Sequence, residues 1–192
     1  MFVPLVVVLA VALSYARGGR LSRLAEAPLH RPWLLFLGVG LQVGVDVLAA
    51  REVLGDASTL GWVGLLISQL LVIGFLVSNW QLPGTALVGI GLLLNAVVMA
   101  ANGAMPVDPA AIRALGLDGP TVPLGKHTLL TGSTRLPWLA DIYPLPPLRS
   151  IISVGDVVLA AGLVPITHAL MTHRPPAERR GRGRPSGASR PS

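Results

Sequence analysis

At 192 residues, with 52% apolar and 12% charged side chains, the chain carries far less charge than a soluble domain, where about 25% is usual. It holds no cysteine, which excludes disulfides, thiolate metal sites and cysteine catalysis. The net charge of +6 suggests nucleic acid only until it is placed along the chain, where ten of the fourteen arginines fall into two clusters.

In chain order, five apolar stretches read as membrane spans: Phe2–Ala16, Trp33–Ala50, Leu60–Ser78, Thr85–Ala101 and Ser150–Met171. A crossing helix needs about 17–25 such residues, and Phe2–Ala16 is the shortest of the five. Ser14-Tyr15-Ala16 would pass as a signal-peptide cleavage site, but Arg17, Arg20 and Arg23 follow the apolar run instead of a basic residue preceding it. A retained first helix is the expectation.

With five spans, the 17–32 loop, the 79–84 turn and the C-terminal tail share one side. Together they carry Arg17, Arg20, Arg23, Arg31, Arg174, Arg179, Arg180, Arg182, Arg184 and Arg190. The other side carries Arg51, Arg113, Lys126, Arg135 and Arg149, offset by Glu52, Asp56, Asp108, Asp118 and Asp141. The bias in lysine and arginine places the first side in the cytoplasm. The expected fold is therefore an all-α integral membrane protein of the bacterial plasma membrane, with the N-terminus outside and the C-terminus inside. Residues 1–172 form the five-helix domain and 102–149 its ordered extracytoplasmic loop. Trp33, Trp62, Trp80, Trp138 and Tyr143 fall near span ends or in that loop, as interfacial anchors do.

Within the loop, Asp108-Pro109 predicts a capped short helix closed by Gly116. Pro137, Pro144, Pro146 and Pro147 divide the remainder into turns and brief segments. The tail, 173–192, is Pro, Gly, Ser and Arg without apolar periodicity, which predicts disorder. Its Arg180-Gly181-Arg182-Gly183-Arg184 run needs only the anionic inner leaflet as partner, and nucleic acid is not expected.

Charged side chains inside a span mark a functional site or a paired cluster. Gly38, Gln42 and Asp46 lie at i, i+4, i+8 in the second span, and Gly91, Asn95 and Met99 repeat the spacing in the fourth, with Asn102 beyond. Ser153 and Asp156 share a face of the last span, and Gln69 is central in the third. Gly40 and Gly44 make a GxxxG. Asp46, Asn95 and Asp156 all fall within about 10 Å of the outer span ends, where they could meet below a loop carrying Lys126, His127, Arg135 and Asp141. The expectation is a polar cluster centred on Asp156 with Asp46 or Asp141, neutralised by Arg135 or Lys126. It serves either as a site or as a clamp between helices and loop. His127 is a candidate ligand or base, but with no second histidine nearby no metal site or cofactor is expected. Ser133 and Thr134 lack an oriented base, and His168 reads as an interfacial histidine.

Several of these residues carry a family resemblance. Arg17-Gly18-Gly19-Arg20-Leu21, Asn102-Gly103-Ala104-Met105-Pro106-Val107, Lys126-His127, Thr134-Arg135-Leu136, Leu139-Ala140-Asp141-Ile142 and Ser153-Val154-Gly155-Asp156 together resemble the bacterial membrane-protein family DUF5317. The one departure is Gly103-Ala104, where that pattern has two glycines. The resemblance spans nearly everything but the tail and implies a multi-span protein with no assigned activity. A fainter likeness joins 153–162 to the last helix of lipoprotein signal peptidases, whose aspartate there is half of a catalytic pair. Ser153 stands where that family has asparagine, no Asn-x-x-Asp-Arg motif precedes it, and Asp141 or Asp46 would have to be the second acid.

Three functions compete: an outward-facing pocket for a small ligand, lipid head group or partner protein; an intramembrane aspartyl-type hydrolase using Asp156, Asp141 and Asp46; and a non-catalytic subunit of a membrane complex.

Overall fold

The computed structural model describes residues 2–51, 59–116 and 127–173. Lys126 and the tail beyond His173 lie outside the described residues, and with them the disorder expected of the tail.

The protein is mostly helical. Five long helices, α1 (Phe2–Ala16), α3 (Pro32–Ala50), α4 (Thr59–Ser78), α5 (Thr85–Asn102) and α7 (Val154–Thr172), are joined by shorter elements. α2 (Ser22–Ala25) lies in the first connection, and α6 (Pro109–Ala114) follows α5. By length and composition α5 and α7 are each apolar and long enough to cross a membrane, while Phe2–Ala16, Pro32–Leu48 and Val63–Ser78 are shorter apolar helices. Large apolar side chains stand exposed along these helices, among them Val8, Phe36, Val43, Leu70, Val77, Leu93 and Val157.

α7 packs between α1 and α5, and α4 packs between α5 and α3. Small residues make close approaches, because without a Cβ two helix backbones can touch. A Cβ on Gly91 would sit 2.5 Å from the Gly155 carbonyl oxygen and 2.6 Å from Leu159 N, so α5 and α7 touch backbone to backbone. Gly38 brings α3 onto α4, where Ser68 Oγ donates to the Gly38 carbonyl at 2.8 Å. The Gly40 and Gly44 positions instead face open space. The GxxxG therefore makes no close contact here, and Gly38, two residues before it, does.

The last helix starts later than the sequence suggests. Ser150–Ile152 is a strand, β4, paired antiparallel with β3 (Tyr143–Leu145), and α7 begins only at Val154. Ser153 is the N-cap: its Oγ accepts from Asp156 N at 3.1 Å, and Asp156 Oδ2 accepts from Ser153 N at 3.1 Å. This reciprocal pair is a capping box, which satisfies two donors that a helix start leaves open. Asp156 consequently sits in the first turn of α7, where the helix dipole favours a carboxylate.

The described part of the segment between α5 and α7 is built from short elements. β1 (Met105–Val107) pairs in parallel with β2 (His127–Leu129), and Asp141 bridges Val107 from the other side. α6 is capped as expected: Asp108 Oδ1 accepts from Ala110 N at 2.8 Å, Pro109 opens the helix, and Gly116 follows it at φ +70.

Candidate functional site

One end of the bundle gathers the start of α1, the end of α3, the start of α4, the end of α5 and the start of α7. A cavity of about 440 Å³ lies there, lined by Gln42 and Asp46 from α3, Gln69 from α4, Asn95 and Met99 from α5, and Asp156 from α7. Phe2, Val3 and Pro4 of α1 form an apolar wall. His127, Asp141 and the β4 residues Ser150, Ile151 and Ile152 close it from the short-element segment. Alternating helix directions bring these distant residues together.

The α5–α7 wall is the most fully bonded. Asn95 Nδ2 donates to Asp156 Oδ1 at 3.0 Å, and Ser153 Oγ donates to Asn95 Oδ1 at 3.0 Å. With Ser153 N on Oδ2, both Asp156 oxygens accept hydrogen bonds. Ser153 is fully buried, and a Cβ on Gly155 would collide with Asn95 Oδ1. The close packing and the polar bonds thus depend on the same few residues.

Across the cavity, backbone bonds fix Asp141 to β1: Asp141 N donates to Pro106 O at 2.9 Å, and Asp108 N donates to Asp141 O at 3.0 Å. β2 lies on the other edge of β1 and brings His127 Nε2 to 3.8 Å from Asp141 Oδ2. Asp141 is 7% exposed. On the α4 side, Gln69 Nε2 donates to Met99 Sδ at 3.6 Å, and its buried Oε1 meets no donor among the described residues. The described lining is rich in acceptors: three carboxylates and three side-chain amides face a single imidazole and no lysine or arginine.

Of the residues singled out in the sequence, Gln42, Asp46, Asn95, His127, Asp141 and Asp156 line this cavity, and Ser153 holds its α7 edge. Asn102 and Arg135 do not. They meet each other beside a second cavity of about 430 Å³, formed with Thr128, Thr131, Ser133 and Thr134. Asn102 Nδ2 donates to the Arg135 carbonyl at 2.9 Å, and Arg135 N donates to Asn102 Oδ1 at 2.8 Å. Arg135 is thus held through its backbone, with its side chain exposed. It is not the cation expected beside Asp156. Among the described residues no group of three or more His, Cys, Asp or Glu could hold a metal ion.

Gln69 and Met105 line the cavity outside the cluster expected from the sequence, and Met99 lines it from the Asn95 stripe. Gln69 carried a signal, being the polar residue in the middle of an apolar run. Nothing local marked Met105, which is placed by strand pairing.

The model of a family of unknown function, DUF5317, matches residues 26–167, well over half of the chain, and the chain belongs to that family. Every polar residue of the cavity named above falls inside the matched span. An uncharacterized protein of Thermotoga maritima is 36% identical over 110 residues, which make up 54% of this chain and 63% of that relative. The chain thus spans less than two thirds of the relative's length. No solved structure matches.

Proposed function

We propose, for this DUF5317 protein, a five-span plasma-membrane receptor for a small ligand or lipid head group, which binds in the cavity formed by Gln42, Asp46, Gln69, Asn95, His127, Asp141 and Asp156. The observation that carries this reading is the cavity itself: about 440 Å³, within the usual range of small-molecule sites, with polar groups from separate helices converging on it. The apolar α1 wall and the exposed apolar faces of the helices support a membrane setting. α1, α3 and α4 serve as the further spans beside α5 and α7. On this reading, which the arginine bias supports, the cavity and the 102–149 segment face outside and the C-terminus inside, with residues 1–172 as one membrane domain.

Two measurements test this. Cysteines introduced singly at Ala114 and Ser22, both exposed, should label from outside and only after permeabilisation, respectively. The reverse pattern would put the cavity on the cytoplasmic side. Small molecules and lipids retained by the purified protein, compared by mass spectrometry with those on Asp46→Asn, should include a species that the variant loses. Identical profiles would remove the cavity as a binding site.

The hydrolase reading draws on the same cavity, because Asp46, Asp141 and Asp156 all reach it. It gains less support, since both Asp156 oxygens already accept hydrogen bonds, from Asn95 and from Ser153 N. If Asp156 served chemistry, Asp156→Asn would abolish activity and leave stability intact. If the chain were instead a subunit of a membrane complex, a partner protein should co-purify in fixed ratio.

A further inference from the structure

The opposite end of the bundle holds a cavity of different chemistry, about 430 Å³ in volume, between the α2–α3 connection, the α4–α5 turn and the end of α7. Among the described residues no carboxylate lines it. Besides Ser78 and Asn79, whose donors are engaged within the protein, its side-chain donors are the imidazoles of His30 and His173, the Gln81 amide and the Trp80 indole; every imidazole carries at least one N–H, and amide and indole donate as well. None of these imidazole, amide and indole groups has a hydrogen-bond partner among the described residues. Leu29 and Leu170 supply apolar wall beside them.

The frame around these donors is fixed. Asn79 is 6% exposed; its Oδ1 accepts from His30 N at 2.8 Å, and its Nδ2 donates to His30 O at 2.8 Å and Phe75 O at 2.8 Å. One side chain thereby clamps both backbone groups of His30 onto the end of α4. Two arginines are tied to its frame through the backbone. Arg31 follows His30 directly and is exposed, and Arg20 N donates to the Met171 carbonyl at 2.9 Å, tying the arginine-bearing connection to the end of α7. Trp80 is 72% exposed, the position of an indole at a membrane interface.

We infer that this cavity binds the phosphate of an anionic membrane phospholipid at the cytoplasmic leaflet, with the acyl chains along Leu29 and Leu170. Uncommitted donors, no carboxylate among the described lining residues and the two arginines of the frame suit a phosphate, and the apolar wall and exposed indole select a lipid over free phosphate. The inference rests on the five-span reading.

The test uses the full chain in detergent, with phosphatidylglycerol and phosphatidylcholine supplied in equal amounts and retained lipid counted by native mass spectrometry. The parent should retain phosphatidylglycerol preferentially, and His30→Ala/Gln81→Ala/His173→Ala should reduce that preference about tenfold, as expected from lost bonds to a charged group. A tail variant, Arg179→Gln/Arg180→Gln/Arg182→Gln/Arg184→Gln, should keep it. The inference is overturned by equal retention of the two lipids, by a preference that survives the triple variant or vanishes with the tail variant, or by equally effective competition from inorganic phosphate. Should the triple variant lose its helical circular dichroism, Gln81→Arg decides: it should raise the ratio of phosphatidylglycerol to phosphatidylcholine, and an unchanged ratio counts against the site. Alkaline carbonate extraction separates the two readings. Protein released from membranes would refute the spans, whereas protein that stays embedded without lipid preference would refute only the lipid site.

Discussion

Asn95 and Asp156 join α5 to α7 by a 3.0 Å hydrogen bond beside the backbone contact of Gly91 with Gly155. The same Asn95 side chain accepts from Ser153, so one amide supports both members of the α7 capping box. Asp156 is therefore first of all the residue that starts a helix and fastens it to its neighbour.

Asn95→Ala should lower stability by about 1–3 kcal/mol, the usual cost of leaving buried polar partners unmatched. Asn95→Asp should be worse, because it sets a second carboxylate against Asp156 Oδ1. Asp156→Asn should cost only about 1 kcal/mol, since the new amide oxygen can still accept from Ser153 N while Asn95 reverses its amide. A broken buried ion pair would cost about 3–5 kcal/mol. Thermal unfolding in detergent reads all three, and a loss from Asp156→Asn matching that from Asn95→Asp would point to a cationic partner of Asp156.

The α5–α7 contact predicts a contrast among glycines. Gly91→Ala forces a methyl group into the Gly155 carbonyl and the Leu159 backbone, where no flexible side chain can yield, and should destabilise by about 1–3 kcal/mol. Gly40→Ala and Gly44→Ala meet open space in α3 and should be neutral or stabilising by about 0.5–1 kcal/mol, the ordinary gain of alanine over glycine in a helix. Equal destabilisation at Gly40 and Gly91 would show that α3 has a close partner of its own.

Much of this was legible in the residues. Apolar run lengths located the five long helices, and the i, i+4 spacing put Gln42 and Asp46, and Asn95 with Met99, on cavity-facing stripes. The start of α7 was misplaced because Ser150-Ile151-Ile152 is as apolar as the helix it precedes, and only pairing with Tyr143–Leu145 makes it a strand. Ser153-Val154-Gly155-Asp156 did hold the corrective signal, a serine three residues before an acid. The role of Arg135 was not legible at all, because Asn102 recognises its backbone and composition records only side chains. The Asn79 clamp on His30 was hidden for the same reason.

Asn79 gives a test of that backbone clamp. Asn79→Ala releases His30 N and O together with a bond to Phe75 O, so the 17–31 connection should become cleavable by trypsin after its arginines at protease levels that leave the parent intact. Asn79→Asp keeps the acceptor and removes the donors, and should fall between the two. Identical digestion of parent and Asn79→Ala would mean that the connection is held by other contacts.

The last prediction separates charge from backbone at the second cavity. If Arg135 acted through its guanidinium, Arg135→Gln would loosen the segment between α5 and α7, and Asn102→Ala would matter little. The bonds run the other way: Asn102 donates to the Arg135 carbonyl and accepts from its N–H, and any residue at 135 except proline offers both groups. Arg135→Gln should therefore be silent in thermal unfolding and in amide exchange of residues 128–136. Asn102→Ala should cost about 1–2 kcal/mol and speed exchange at Arg135 N in particular. Arg135→Pro, which removes the N–H, should reproduce most of the Asn102→Ala loss, and the double variant should add little to either single change, since both remove the same contact. Full additivity would show that Asn102 and Arg135 stabilise the segment independently and that the paired bonds are not what holds it.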